Sequence, residues 1–185
     1  LNVDDAKKAP GIHGVFIAED LENNCVKNDL VGVTVKNCDG TDGASPKRPL
    51  LAKERVRFVG EPIALVIADT IQNAKDAAEL IEVDYDDLPV STDLKRGKYT
   101  IHPEAPENVA FEWHLGDKNK TDVVFEQAEK VISMEVYNNR IIANSMEPRG
   151  CYAHWEDGRL HISFSGQGVW THKSFASDIL GLRAE

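Results

Sequence analysis

Long apolar runs are missing from this chain. No stretch approaches the roughly 18 consecutive apolar residues of a membrane-spanning helix. Nor does the amino terminus pair a basic with an apolar segment, as a secretory signal does. Cysteine is scarce: Cys25, Cys38 and Cys151 are an odd set whose spacings fit no zinc or iron–sulfur pattern. That argues against a disulfide framework and for a reducing cytosol, so a cytoplasmic location is expected. Positive charge is also short, with 21 Lys and Arg against 31 Asp and Glu, for a net charge of -10. Nucleic acid is therefore not an expected partner, because phosphate contact needs clustered Lys and Arg. The one basic run, Lys47, Arg48, Lys53, Arg55 and Arg57, reads as a solvated loop and strand edge. Common catalytic signatures are missing too: there is no G-x-S-x-G, P-loop, dinucleotide fingerprint or H-E-x-x-H.

What is present is enough for a core. Of 185 residues, 42% are hydrophobic and 28% charged, so wholesale disorder is not expected. That length holds one domain, or one small domain and part of another. The chain starts at Leu1 rather than Met and reads as opening inside a folded region.

Residues 3–9 suggest a short helix closed by Pro10-Gly11, and Gly14 to Ala18 a buried strand. Residues 22–49 read as a surface excursion holding one short alternating strand, Val31, Val33 and Val35. Val56 and Phe58 lead into a Gly60-Glu61-Pro62 turn, and Ile63 to Ala68 is a continuous apolar run, as in a strand covered on both faces. Asp69 or Thr70 caps the next helix, whose inner face is read as Ile71, Ala74, Ala78 and Ile81. Glu82 to Tyr85 alternates as a further strand that ends at Leu88-Pro89, completing a strand–helix–strand unit.

Residues 91–120 carry no period and suggest a boundary, with Trp113 expected against a neighbouring domain. A second unit follows. It has a helix capped by Thr121 and running to Ala128, and an alternating strand over Val131 to Tyr137. A hairpin of Cys151–Trp155 and Leu160–Ser165 turns at Asp157-Gly158, and a final helix spans about Thr171 to Leu180, stopped by Gly181. A hairpin with one or two helices buries too little to stand alone.

Two segments carry candidate chemistry. In Met146-Glu147-Pro148-Arg149 the proline fixes φ between two charges; the plain reading is a turn with Glu147 and Arg149 paired on the surface. In Ser165-Gly166-Gln167-Gly168, glycines allow close backbone approach and the Gln167 amide both donates and accepts. The segment precedes a helix N-terminus, which favours an anionic group. Its plain reading is a glycine-rich corner. The six histidines (His13, His102, His114, His154, His161, His172) are scattered. His154 and His161 sit across the hairpin and read as exposed partners, while Asp86 and Asp87 read as solvated.

These pieces, in this order, resemble the large subunit of the xanthine dehydrogenase, aldehyde oxidase and aerobic carbon monoxide dehydrogenase family, the molybdenum hydroxylases. Arg55 to Ala68 (RVRFVGEPIALVIA) and Ala74 to Pro89 (AKDAAELIEVDYDDLP) look like its α/β hammerhead domain. His102 to Ala110 (HPEAPENVA) and Gly116-Asp117 look like its linker. Asn139-Arg140, Met146 to Gly150, the hairpin and Gly166-Gln167-Gly168 look like the opening of its molybdopterin-binding domain.

The resemblance implies an α+β chain with a hammerhead domain over 1–93, a linker over 94–120 and the incomplete start of a molybdopterin-binding domain over 121–185. It implies a molybdenum–pyranopterin cofactor, as molybdopterin or its cytosine dinucleotide. FAD and [2Fe–2S] clusters would lie on other domains or subunits, which become the expected partners beside a small-molecule substrate. Gln167 becomes the glutamine whose amide hydrogen-bonds a terminal oxo ligand of molybdenum, with Gly166 and Gly168 flanking it at the cofactor; no residue here is implied as a metal ligand. Glu147 and Arg149 take a structural role. A glycine-rich Phe-Gly loop and a general-base glutamate are expected beyond residue 185, so the chain is read as a fragment, inactive alone. Two other readings remain: a non-catalytic α+β assembly module, and a small-ligand domain using the Gln167 turn as an anion site.

Overall fold

The computed structural model describes every residue except Val31, residues 93–96, Lys98, Arg140 and Glu185. It is α+β, with two separate two-stranded antiparallel sheets and helices around them. Two compact units emerge, one of residues 1–113 and 170–185, the other of residues 114–169.

The first unit begins with helix α1, Asp4–Lys8, with acids in its first turn and lysines in its last, matching the helix dipole. Strand β1, Ile12–Phe16, follows and pairs antiparallel with β2, Leu65–Ala68. Between them comes a short helix not expected from the sequence, α2, Ala18–Asn23. Its third residue, Asp20, reaches back to accept the Ile17 N–H at 2.9 Å, half of a reciprocal cap. Gly11 has φ +72° and lies against the Asn73 amide, a left-handed backbone that glycine adopts without strain.

Helix α3, Ile71–Glu79, is capped by Thr70, whose Oγ1 accepts the Asn73 N–H at 3.1 Å. Asp69 turns away to His13. The inner face of α3 differs from the expected one: Ala77 is fully buried, while Ile71 is 77% exposed. Val3, Ala6, Val15 and Ala77 form the core, with Ile12, Val66 and Ile81 packed around them. Small alanines let α1 and α3 lie close on one face of the β1–β2 ribbon. Its other face stays open, for Leu65 and Ile67 are about half exposed. The expectation of a strand covered on both faces is corrected: β2 has a helix layer on one side only.

The expected strand over Glu82 to Tyr85 shrinks to a single bridge, Asn2 with Glu82, in which each N–H donates to the other's carbonyl. Among the described residues Asn2 is the bridge partner of this stretch. Residues 22–49 likewise hold isolated bridges, Leu30 with Arg48 and Lys36 with Asp42, in place of the short valine strand; Val31 lies outside the described residues. In the stretch without period, Asn108 takes φ +60° and organises a loop. Its amide accepts from Ile101 N–H and donates to the Tyr99 carbonyl, both at 2.8 Å. The last helix, α5, Val169–Leu180, starts two residues earlier than expected and ends at Gly181, φ +64°. Its final turn is held by Lys27, whose N–H donates to Ile179 O at 2.9 Å and whose ammonium pairs with Asp178.

The second unit contains helix α4, Lys118–Gln127, and the hairpin of β3, Cys151–Glu156, and β4, Arg159–Phe164. The cap of α4 is Asp117, not Thr121: its carboxylate accepts the Lys120 N–H at 3.0 Å, while Thr121 lies inside the helix and its hydroxyl donates to Asp117 O. The hairpin turns where the sequence places it. Asp157 and Gly158 both take positive φ, +49° and +75°, the requirement of a two-residue turn that matches strand twist. Residues 131–137 form no strand and pair with none among the described residues, leaving Ile132 and Met134 more than four-fifths exposed. Trp113, expected against a neighbouring domain, is 59% exposed.

Candidate functional site

The segments singled out from the sequence converge at the open end of the hairpin. Register pairs Cys151 with Phe164 at the strand ends. Ser165 follows immediately, then Gly166, Gln167 and Gly168, and α5 begins at Val169. Gln167 is exposed in a bend, and Gly168 takes φ +78°, a backbone that a side chain would strain. Just before β3, Met146 and Glu147 form another bend, followed by Pro148.

A hydrogen bond joins these two segments across 18 residues: Ser165 Oγ donates to Glu147 Oε1 at 2.8 Å. The expected surface pairing of Glu147 with Arg149 gives way to this contact. Both segments stand out in the sequence; the link between them does not. The available signal was a hydroxyl next to the glycine corner and a lone carboxylate just outside the same hairpin. Asn139, the neighbour of Arg140 in the resemblance, is exposed; Arg140 lies outside the described residues.

The outer face of the hairpin carries the histidines. His154 and His161 are direct cross-strand partners, with rings stacked at 5.0 Å between centroids and 16° between planes. Tyr152 lies 5.2 Å from His154, and Glu156 Oε2 is 3.6 Å from His154 Nε2. The three cysteines are free and exposed, and Asp86 and Asp87 are exposed. A further pair unforeseen from the sequence is His13 with Asp69, Nε2 to Oδ1 2.6 Å, on the surface of the first unit. Also in that unit, burial pushes the His102 imidazole below its ordinary range, with the Arg57 guanidinium adding to the effect.

Among the described residues, no three His, Cys, Asp or Glu side chains gather to hold a metal ion. The chemistry at the corner is of another kind: an uncharged amide, exposed between two glycines, that donates hydrogen bonds without competing as a ligand. Such a group fits an outer contact to an anionic oxygen on a cofactor that brings its own metal donors.

Comparison with known proteins agrees with this architecture. Residues 1–89 match the model of the aldehyde oxidase and xanthine dehydrogenase a/b hammerhead domain, and residues 101–185 match the molybdopterin cofactor-binding domain. The nicotine 6-hydroxylase large subunit of Paenarthrobacter nicotinovorans is 34% identical over 88% of the chain and 20% of its own length. The aldehyde oxidoreductase of Megalodesulfovibrio gigas is 30% identical over the whole chain and 20% of its own length. The carbon monoxide dehydrogenase large chain of Hydrogenophaga pseudoflava is 31% identical over 98% of the chain and 24% of its own length. The fold superposes on quinoline 2-oxidoreductase from Pseudomonas putida 86 with a TM-score of 0.72, at 23% identity, over 99% of the chain and 23% of that protein. The chain thus spans about a fifth to a quarter of the length of each of these relatives. No helix among the described residues is long and apolar enough to cross a membrane. Two adjoining domain models, in the family's order and covering nearly every residue, place this chain in the molybdenum hydroxylase large-subunit family of xanthine dehydrogenase, aldehyde oxidase and carbon monoxide dehydrogenase.

Proposed function

We propose that this chain is the hammerhead and the opening of the cofactor-binding domain of a molybdenum-dependent hydroxylase or dehydrogenase. Its substrate would be a carbon centre: an aldehyde, a purine or other N-heterocycle, or carbon monoxide. In this reading residues 1–93 form the hammerhead, 94–120 the connection and 121–185 the first part of the cofactor-binding domain. The 93/94 boundary falls outside the described residues. The observation that carries the reading is the match of residues 101–185 to a molybdopterin cofactor-binding domain, with Gln167 exposed at its glycine corner.

The molybdenum–pyranopterin, when bound, supplies two-electron oxidation at the carbon centre, with water as the oxygen source. The part of this chain is narrower. The Gln167 amide donates a hydrogen bond to an anionic oxygen, stabilising charge there and orienting the group. Gly166 and Gly168 let the backbone come close. Iron–sulfur and FAD domains or subunits would carry the electrons onward, and a cytoplasmic setting suits such a complex. The chain alone would be inactive, because one amide and two glycines do not make a cofactor pocket.

The test is Gln167→Ala in the full-length subunit. Turnover should fall by about a hundredfold, the usual loss for one preorganised donor, while molybdenum and pterin content stay near wild type. Wild-type turnover in that variant removes Gln167 from the site.

A further inference from the structure

We propose that Glu147 is a positioning residue for Gln167, acting through the hydroxyl of Ser165. The inference rests on the reading of Gln167 above and adds a residue to the same site. It begins with a problem that the corner poses. Gln167 stands between two glycines, one of them at φ +78°. Glycine has the widest backbone freedom of any residue, so local torsions alone hold the amide poorly. A hydrogen-bond donor contributes fully at a reacting centre only when its direction is set beforehand. Something outside the corner has to set it.

The structure offers such an anchor on one side. β4 ends at Phe164, and Ser165 is the last residue with a side chain before the corner. Its Oγ donates to Glu147 Oε1 at 2.8 Å, and a bond to an ionised acceptor is stronger than one between neutral groups. Glu147 is in turn fixed by sequence: Pro148 follows it and restricts its backbone to extended conformations, and β3 begins three residues later. The carboxylate thereby ties the entry of β3 to the exit of β4, where the ladder itself stops at Cys151 and Phe164. Ionised, it accepts without donating, so the Ser165 proton has one direction to point. The family-like Met-Glu-Pro-Arg motif and the Ser-Gly-Gln-Gly motif then form one device.

The experiment uses the full-length holoenzyme with Glu147→Ala, Glu147→Gln, Ser165→Ala, Gln167→Ala and the double variant Glu147→Ala with Gln167→Ala. Loss of an outer contact that orients a cofactor-facing group costs about tenfold in activity, and this is the fall in kcat expected for Glu147→Ala and for Ser165→Ala. Molybdenum content, pterin content and melting temperature should hold. Glu147→Gln keeps an acceptor oxygen and should recover most of the loss. Amide exchange at residues 166–168 should accelerate in Glu147→Ala, and the paramagnetic resonance signature of the partly reduced metal centre should shift as in Gln167→Ala.

Because Glu147 acts through Gln167, the double variant should be no slower than Gln167→Ala alone. Losses that multiply in the double variant, or loss of cofactor or melting temperature in Glu147→Ala, would make Glu147 merely structural and overturn the inference. Wild-type kcat in Glu147→Ala beside a slow Gln167→Ala overturns it too and leaves the reading of Gln167 intact. Wild-type kcat in Gln167→Ala takes away that reading, and this inference with it.

Discussion

Val15 in β1 is 3% exposed, whereas Ile162 in β4 is 40% exposed, although both are β-branched residues in two-stranded antiparallel ribbons. The difference lies in what covers each ribbon. In the first unit α1 and α3 lie on β1 and β2, and Ala6 and Ala77, both fully buried, bring them close. In the second unit the hairpin packs against no other element of its own unit, and no described residue of 114–169 is buried. Only Leu160 and Phe164 are partly covered. Two ribbons of similar ladder geometry thus divide into one with a core and one without, since a lone hairpin has no apolar layer to press against. Strand pairing is local; burial needs a partner from elsewhere in the chain.

The sharpest way to break this contrast is to put a charge into each ribbon. Val15→Asp sets an unpaired carboxylate in the core of the first unit and should cost on the order of 4 kcal/mol. Ile162→Asp adds a charge to an exposed face and should stay within about 0.5 kcal/mol in this chain. Urea titrations read from amide exchange in α3 and in the hairpin separate the two. Equal losses at both positions would mean that the second unit has a core of its own.

How much of this was readable beforehand follows the same division. The Asp157-Gly158 turn was legible because its signal is a dipeptide that accepts positive φ, independent of anything distant. Gly181 as a helix stop was legible for the same reason. The inner face of α3 was not. Ile71 shares the helical period, yet the face is set by where β1 and α1 lie, and Ala77 points there. The strand at Val131 to Tyr137 alternates convincingly and has no described partner, so its pattern remains unused. α2 was missed because its cap is Asp20 folding back onto Ile17, in a stretch that otherwise looks polar. At the candidate site both motifs were visible, but the Ser165–Glu147 bond depends on hairpin register and could not be read from either alone.

A smaller effect sharpens the contrast at the helix caps. Thr70→Ala removes the acceptor for Asn73 N–H at the start of α3 and should cost about 1 kcal/mol. In the first unit that loss is shared with the core, since α3 supplies Ala77 to it. Melting temperature should therefore drop measurably. Should it stay unchanged, the α3 cap would be replaceable, and the weight of stability would rest on packing alone.

The smallest effect is a matter of pH and has the same sign in both units but different windows. Asp117 caps α4, and its carboxyl sits below the ordinary 3.8, chiefly because the Lys120 N–H donates to the charged form, with the Lys120 side chain adding to it. His102 in the first unit sits below the ordinary 6.5, chiefly through burial. A depressed value in the folded state means that the unfolded chain binds the proton more readily, so stability is full above the ordinary value and falls as pH drops through the folded one. For His102 the loss begins as pH falls below about 6.5 and is felt across the first unit; for Asp117 it begins below about 3.8 and is confined to α4. Following the His102 ring and the α4 amides by NMR through an acid titration separates the two. Asp117→Asn keeps a capping oxygen and should remove the acid-dependent fraying of α4 without touching the step near His102. If α4 frays in the higher window instead, its start is governed by something other than the Asp117 carboxylate.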